Sequence, residues 1–314
     1  MHAPNHIAPE GDMAANSWRT GQACVCRRQD GVEHMRERKI NPKQTIVIEP
    51  RKSIRLFDIE EYVKYRSMLK RMVKREIQTK FDDMKLSVLW NLVRPLSVTA
   101  VFSLFKHASG ATTGETAPYP IFIYSGLIIW YYFTDATQES ASSLRKDAGM
   151  IKKVYFPRLI IPAVPIVSNL ILLGMAFLPL LIMMIAYGVK ISWTVLLLPL
   201  VIVQCGALSL GVGVLFASIS LRNRDFEQLL SLMLYIGLFV SCVYFSPNLF
   251  QGPIALLIKI NPMAATLQSF RACLGSTGTF PILWWLYAVL VSVGSILMGL
   301  VAFNSVEKEL ADRL

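Results

Sequence analysis

The chain has 314 residues, of which 54% are hydrophobic and only 17% are charged, and its formal net charge at pH 7 is +11. An ordinary soluble domain has roughly a quarter charged residues, and this apolar composition excludes a disordered chain, a collagen-like chain and a disulfide scaffold. The net charge alone would suggest a nucleic-acid-binding protein. However, the first 85 residues hold 18 of the 32 Lys and Arg residues, so charged and apolar residues occupy different regions of the chain.

Residues 1–55 have few apolar residues at regular spacing and no apolar run of the length that a signal peptide needs. We therefore expect a largely disordered extension that stays in the cytoplasm. Its cysteines, Cys24 and Cys26, lack a second ligand pair at the spacing of a zinc site, so no metal site is predicted.

Residues 56–85 are predicted to form an amphipathic helix. The apolar residues at helical spacing are Leu69, Met72, Val73, Ile77, Phe81 and Met84. The opposite side has Arg66, Lys70, Arg71, Lys74, Arg75 and Gln78. A basic helix of this kind is expected to lie in the membrane interface, attracted by anionic lipids. The alternative is that its apolar side packs against the chain's own loops.

Long apolar blocks follow, and a helix needs about 20 such residues to cross a bilayer. Six blocks have that length, so residues 86–314 are predicted to be an all-α integral membrane domain with six transmembrane helices. The predicted spans are 86–105, 119–138, 159–187, 193–219, 228–246 and 281–303. Residues 253–275 are interrupted at Asn261-Pro262, which predicts a pair of short re-entrant helices before the last span.

The basic residues predict the orientation of this bundle. Loops and tails on the side of the N-terminus contain 27 of the 32 Lys and Arg residues, whereas the opposite loops contain four. Because basic residues accumulate in cytoplasmic loops, both termini are predicted to be cytoplasmic. The positive charge therefore indicates membrane topology, and no nucleic acid is expected as a partner.

Chemical motifs are missing from the sequence. It contains no phosphate-binding loop, no H-E-x-x-H and no G-x-S-x-G motif, so neither a nucleotide site nor an enzyme is predicted. Few ionisable residues lie within the spans: Arg94, Asp135 and Glu139 are near span ends, where paired or snorkelling charges are common. Energy for transport must come from another chain, or the protein permits only passive flow. Small residues in the fourth span, Ala207 and Gly211 together with Ser209, Gly213 and Ala217, predict close helix packing.

Four segments resemble those of a known family. They are RMVKREIQTKFDDMKLSVLWNLVRPL (71–96), YPIFIYSGLIIWYYF (119–133), GMIKKVYFPRLIIP (149–162) and INPMAATLQSFRACLG (260–275). Together they resemble the ABC-2 type permeases, in particular the branch that exports O-antigen, capsule or teichoic acid. The resemblance covers residues 56–314 and does not account for the N-terminal extension.

The resemblance implies a permease in the bacterial inner membrane, which forms a homodimer, binds two separate ATPase subunits and moves a lipid-linked polysaccharide. ATP and magnesium would bind to the ATPase, and no cofactor is expected in this chain. An exporter of a drug, haem or lipid has the same topology, so this cargo remains an alternative. A membrane scaffold for glycan synthesis that needs no ATP is a second alternative.

Closure of the ATPase would have to be transmitted through rigid contacts on the cytoplasmic side of the permease. The amphipathic helix and the loop around residues 140–158 suit this task, with apolar side chains filling a groove and basic ones meeting acidic residues. The coupling candidates are Arg71, Lys74, Arg75, Leu144, Arg145, Lys146, Ile151, Lys152 and Lys153. The alternative for the basic residues is that they only set the topology.

Aromatic residues are the candidates for the substrate channel, because a sugar ring presents an apolar face and a polar rim that suit an aromatic wall. Tyr124 and Tyr131 are seven residues apart and therefore share a helix face. The channel candidates are Tyr124, Trp130, Tyr131, Phe102, Phe105, Tyr235 and Phe239, with Tyr244 as a further one. For residues 130–133 the alternative is an aromatic belt at the membrane interface.

Overall fold

The computed structural model describes residues 65–82, 85–109, 118–151, 159–189, 193–221, 223–275 and 279–313. All regular elements in these ranges are helices, and no strand occurs there, in agreement with the predicted all-α class. The predicted extension, residues 1–55, lies outside the described residues.

Ten α-helices and two short 3-10 helices make up the described part of the chain. The α-helices are α1 (Arg66–Asp82), α2 (Lys85–Ser109), α3 (Tyr119–Lys146), α4 (Ala148–Ile151), α5 (Ile160–Ala186), α6 (Leu198–Ser220), α7 (Asp225–Val240), α8 (Pro253–Ile260), α9 (Pro262–Cys273) and α10 (Ile282–Arg313). The 3-10 helices are Trp193–Leu197 and Pro247–Leu249. Helices α3, α6, α8 and α9 have a proline in the first two positions, where its missing N–H has no partner to lose.

Three helical segments among the described residues are long and apolar enough to cross a membrane, namely Ile160–Ala186, Trp193–Ser220 and Ile282–Ser305. The fifth predicted span, 228–246, is wrong at its C-terminal end, because α7 ends at Val240 after 16 residues. At 1.5 Å per residue such a helix reaches about 24 Å, less than a hydrocarbon core of about 30 Å. The chain continues as a turn whose backbone is held by a distant side chain, described below.

Helix α3 lies at the centre of the bundle. Over residues 121–130 every side chain is buried, and the helix packs against α2, α5, α6, α7 and α9. A helix that is apolar around its whole circumference needs neighbours on all sides, and this explains why residues 119–133 are an almost unbroken apolar run.

Helices α6 and α10 approach each other closely at two glycines. A Cβ atom added to Gly211 would lie 2.2 Å from Ser295 Oγ and 2.6 Å from the backbone nitrogen of Ile296, and one added to Gly299 would lie 2.8 Å from the Gly211 carbonyl oxygen. The packing role predicted for the small residues of the fourth span is therefore confirmed at Gly211.

Helix α9 is fixed to α6 and α10 by buried polar side chains. The Thr266 hydroxyl donates to Gln204 Oε1 at 3.1 Å, and Gln204 Nε2 donates to Ser292 Oγ at 2.9 Å. All three residues are buried, so water does not compete for these hydrogen bonds and α9 is a rigid part of the bundle.

We expect Gly211→Ala to destabilise the purified protein in detergent by about 1–3 kcal/mol, because the new Cβ overpacks the contact between α6 and α10. The matched control is Gly174→Ala in α5, where nothing lies within 4 Å of the added atom. Thermal unfolding of the two variants measures the difference. Equal stabilities would mean that the two helices can separate at Gly211 without cost.

Candidate functional site

The apolar face of α1 packs onto the chain itself. Met72 and Val73 are buried in one cluster with Leu144 of α3, Ile161 of α5 and Phe303 of α10. The basic residues predicted for the opposite face are exposed; they are Arg66, Lys70, Arg71, Lys74 and Arg75. Helix α1 therefore packs onto helices of the same chain, not onto its loops as the alternative had it, and presents a basic surface outward. Its location in the membrane interface stays a prediction.

The C-terminal half of α1 is joined to α3 and α5 by a closed polar network. Lys80 Nζ lies 2.6 Å from Glu139 Oε2 and 3.1 Å from Asn169 Oδ1, and Asn169 Nδ2 donates to the same Glu139 oxygen at 2.8 Å. Charge-assisted hydrogen bonds of this kind are stronger than neutral ones, and these are partly shielded from water. The network links α1, α3 and α5 at this point.

A second ion pair lies one helical turn away on α3. Arg94 Nη1 of α2 is 3.6 Å from Asp135 Oδ1, with side-chain exposures of 54% and 38%. The guanidinium also lies 3.8 Å from the centre of the Tyr131 ring. Tyr131, Asp135 and Glu139 are spaced by four residues and so follow one side of α3. That side connects α3 to both α2 and α1.

Several coupling candidates already have partners within the chain. Arg75 of α1 forms a salt bridge with Asp147 at 3.0 Å, and Arg145 pairs closely with Glu227 at the start of α7. Leu144 is only 3% exposed, so the chain's own helices enclose it and it is not available to fill a groove of a partner in this arrangement.

The remaining coupling candidates fall into two groups. Arg71, Lys74 and Lys146 are exposed, as a docking surface requires. The side chain of Ile151, and all of Lys152 and Lys153, lie outside the described residues, so their predicted role stays a prediction.

Two channel candidates are enclosed in the core. Tyr124 is completely buried and its hydroxyl donates to the Ala176 carbonyl oxygen at 3.0 Å. Trp130 is also buried, beside Phe133, so it does not face outward as a residue of an interfacial belt would. Contact of either ring with a substrate would require the surrounding helices to move. Tyr131 is half-buried beneath Arg94.

The other candidates form a connected row of rings between α2 and α7, which we term the aromatic surface: Phe102, Tyr235, Phe239 and Tyr244, of which Tyr244 is itself buried. Phe102 stacks on Tyr244 with ring centres 4.3 Å apart, and Phe239 lies 6.0 Å from both Tyr244 and Tyr235. Tyr235 and Phe239 are 66% and 54% exposed. Phe105, one turn after Phe102, is exposed as well.

Sequence reasoning missed the most unusual charged side chain of the bundle, Arg271 of α9. It lies in the segment predicted to form short re-entrant helices, where no role is predicted for it, yet it is 0% exposed. Its guanidinium lies 3.6 Å from the centre of the Phe122 ring and donates to backbone carbonyl groups of α3 and of the turn after α7. The signal in the sequence was an arginine within residues 253–275, a segment whose one other charged residue is Lys259.

Comparison with known proteins adds a family and several relatives. Residues 68–274 match the profile described as ABC-2 type transporter. The O-antigen export system permease protein RfbA of Myxococcus xanthus is 26% identical over 217 residues, which cover 68% of this chain and 82% of that protein. RfbA of Klebsiella pneumoniae is 25% identical over 252 residues, or 77% and 93% of the two chains. The polysialic acid transport protein KpsM of Escherichia coli is 22% identical over 211 residues, or 63% and 77%.

We expect Lys80→Met to accelerate hydrogen exchange in peptides that cover α1 by about tenfold. Loss of one charge-assisted hydrogen bond lowers the free energy of local opening by about 1.5 kcal/mol, which corresponds to this factor. Lys70→Met is the matched control, since Lys70 is in the same helix but exposed. Identical exchange in both variants would show that apolar packing alone holds α1 in place.

Proposed function

This chain belongs to the ABC-2 type transporter family, and we propose that it is the permease subunit of an exporter that moves a lipid-linked polysaccharide across the inner membrane. The resemblance recognised in the sequence is thus confirmed, and the chain is an integral membrane protein. The assignment of a polysaccharide cargo rests on the names of the relatives: proteins matched over 77% to 93% of their length are named for O-antigen export or polysialic acid transport. ATP and magnesium would bind to separate ATPase subunits.

We propose six membrane spans with both termini in the cytoplasm. Three helices have the required length and apolarity, and the central helix α3 packs along two of them, α5 and α6, so it would occupy the same depth. Helices α2 and α7 flank α3 and complete the six. Because α7 alone is too short to cross, its span would include the turn that follows it. The excess of basic residues on the side of α1 supports a cytoplasmic location of that side.

The aromatic surface is the proposed wall of the polysaccharide channel. Arg94 is nine residues after the start of α2, about 13 Å along the helix axis. With the first span starting at residue 86 as predicted, Arg94 lies deeper than the span end expected from the sequence, and a half-exposed Arg94–Asp135 pair there is unfavourable against lipid tails. The side of α2 and α3 that bears this pair is therefore expected to face water or a second copy of the chain. The exposed rings would offer a sugar a flat apolar surface, and the ion pair would offer polar groups.

We propose that α1 receives the movement of the ATPase. Its exposed basic face suits acidic residues of a partner, while its apolar face and Lys80 fix it to the bundle. A push on α1 would be transmitted to α3 through Glu139, and Asp135 lies one turn further along the same helix. Anionic lipid head groups would meet the same basic face where the ATPase leaves it uncovered.

Deletion of the gene tests the cargo, with surface polysaccharide as the measured quantity. We expect polymer to disappear from the surface and to accumulate in the cytoplasm. Normal surface polymer without accumulation would favour a drug, haem or lipid as the cargo. Export that persists when the partner ATPase is inactivated would favour a scaffold that needs no ATP.

In the complemented deletion strain, Tyr235→Ala and Phe239→Ala are each expected to lower polymer export about fivefold, since one aromatic contact contributes about 1 kcal/mol. Leu232→Ala is the matched control, because Leu232 is an exposed residue of the same helix outside the row of rings. Protein levels must be equal in the membrane. If export falls equally in the control, Tyr235 and Phe239 contribute only to packing and not to a contact with the substrate.

Charge reversal of Arg71 and Lys74 to Glu is expected to reduce the amount of ATPase that co-purifies with the permease about tenfold, because like charges across an interface oppose binding. Lys259→Glu is the control, an exposed lysine at the end of α8. If the ATPase co-purifies normally, the basic face of α1 has no part in its docking.

A further inference from the structure

We propose that Arg271 is a positioning residue that holds the turn after α7 in place and thereby sets the position of Tyr244 in the aromatic surface. The role of Arg271 in the turn stands on the geometry of the turn alone. Its effect on export rests on the proposed function.

The guanidinium of Arg271 connects two separate parts of the chain. Nε donates to the Phe122 carbonyl oxygen of α3 at 3.2 Å. Nη1 donates to the Cys242 carbonyl oxygen at 3.1 Å, and Nη2 donates to that of Val243 at 2.6 Å. The planar fork of an arginine can satisfy such diverging acceptors at once, which the single ammonium of a lysine cannot do with the same geometry.

The turn that these bonds hold is backbone outside any helix in an apolar surrounding. Cys242 has φ of +56°, a left-handed conformation that non-glycine residues rarely adopt. Carbonyl groups that leave a helix ladder in such surroundings need partners within the protein. Arg271 supplies them to Cys242 and Val243, and Asn261 Nδ2 donates to Ser241 Oγ at 2.9 Å beside them.

Arg271 is held firmly enough to act as a reference point. Its helix, α9, is fixed to α6 through Thr266 and Gln204, and its neighbour Phe270 is completely buried. Gly126 of α3 makes room for the guanidinium, because a Cβ there would lie 2.4 Å from Nη2. The close fit leaves the arginine little freedom to move.

Tyr244 follows directly after the held carbonyl groups. Its ring stacks on Phe102 of α2 and lies beside Phe239 of α7, so it is the ring that joins the two helices of the aromatic surface. Release of the turn would displace this ring first. The hydrogen bonds from Arg271 to the backbone would thus set the position of a ring in the aromatic surface, although Arg271 itself does not line that surface.

The first experiment measures the turn directly. Membranes that contain the full-length protein are treated with N-ethylmaleimide, and labelling of Cys242 and Cys205 is quantified by mass spectrometry. Both thiols are buried and free, and Cys205 lies in α6. In Arg271→Lys and Arg271→Gln we expect Cys242 to react at least about tenfold faster, because each variant loses at least one of the two charge-assisted hydrogen bonds to the turn, while Cys205 stays protected. Arg224→Gln, which removes an exposed arginine, is the control and should change neither.

Gly126→Ala is the second variant, since it keeps Arg271 but displaces its guanidinium, and it should also expose Cys242 alone. Unchanged Cys242 labelling in all three variants overturns the proposal. Equal exposure of Cys205 and Cys242 in all three also overturns it, because Arg271 would then support the whole bundle rather than this turn.

The second experiment tests the link to Tyr244 through export. If Arg271 acts through this ring, Arg271→Lys should lower export about tenfold in the native background and not further in a Tyr244→Ala background, since coupled residues are not additive. Additive losses overturn the link to Tyr244. Exposed Cys242 with normal export keeps the role of Arg271 in the turn and overturns its effect on export. The export of Tyr235→Ala and Phe239→Ala then decides separately whether the channel wall stands.

Discussion

A charged or polar group among apolar helices needs a partner inside the protein, because lipid tails and buried side chains offer none. This constraint determines where the principal ionised groups of the bundle lie. Glu139 meets Lys80 and Asn169, Asp135 meets Arg94, and Arg271 meets backbone carbonyl groups. Each of these contacts joins one helix to another element of the bundle, so the groups that need partners also fix how the helices are arranged.

Properties that depend on local periodicity could be predicted from the sequence. The basic and apolar faces of α1 agree with the structure because spacing along one helix fixes both faces. Periodicity places Tyr124 and Tyr131 on one face of α3 but does not tell which neighbour covers each of them. The Tyr124 hydroxyl bonds to Ala176 of α5, whereas Arg94 of α2 lies over the Tyr131 ring. The periodicity of residues 228–246 did not predict the end of α7. The carbonyl groups of the turn that follows bond to Arg271, which comes about thirty residues later and reaches them only through tertiary contact.

Two glycines illustrate how close packing is encoded. Glycine within a helix is less favourable than alanine by about 0.5–1 kcal/mol, so its presence is informative where a side chain would collide. Gly211 admits the backbone of α10, and Gly126 admits the guanidinium of Arg271. Gly174, in contrast, has open space around its Cα atom. The sequence alone does not distinguish a glycine in a close contact from one in open space. The distance from a Cβ atom added to the glycine to its nearest neighbour does distinguish them.

Helix α7 is held at both ends by contacts that differ in kind. Near its start, Glu227 pairs with Arg145 and Ser231 accepts a hydrogen bond from Gln138, both on α3. After its end, the turn is held by Arg271 of the rigid α9. Arg145 directly follows Leu144, which is buried beneath α1. Under the proposed function, a displacement of α1 would therefore reach the start of α7 through adjacent residues of α3, while Arg271 keeps the other end fixed. A short helix fixed at one end and displaced at the other tilts, and its exposed rings would change their spacing from those of α2, as a channel wall that opens and closes requires.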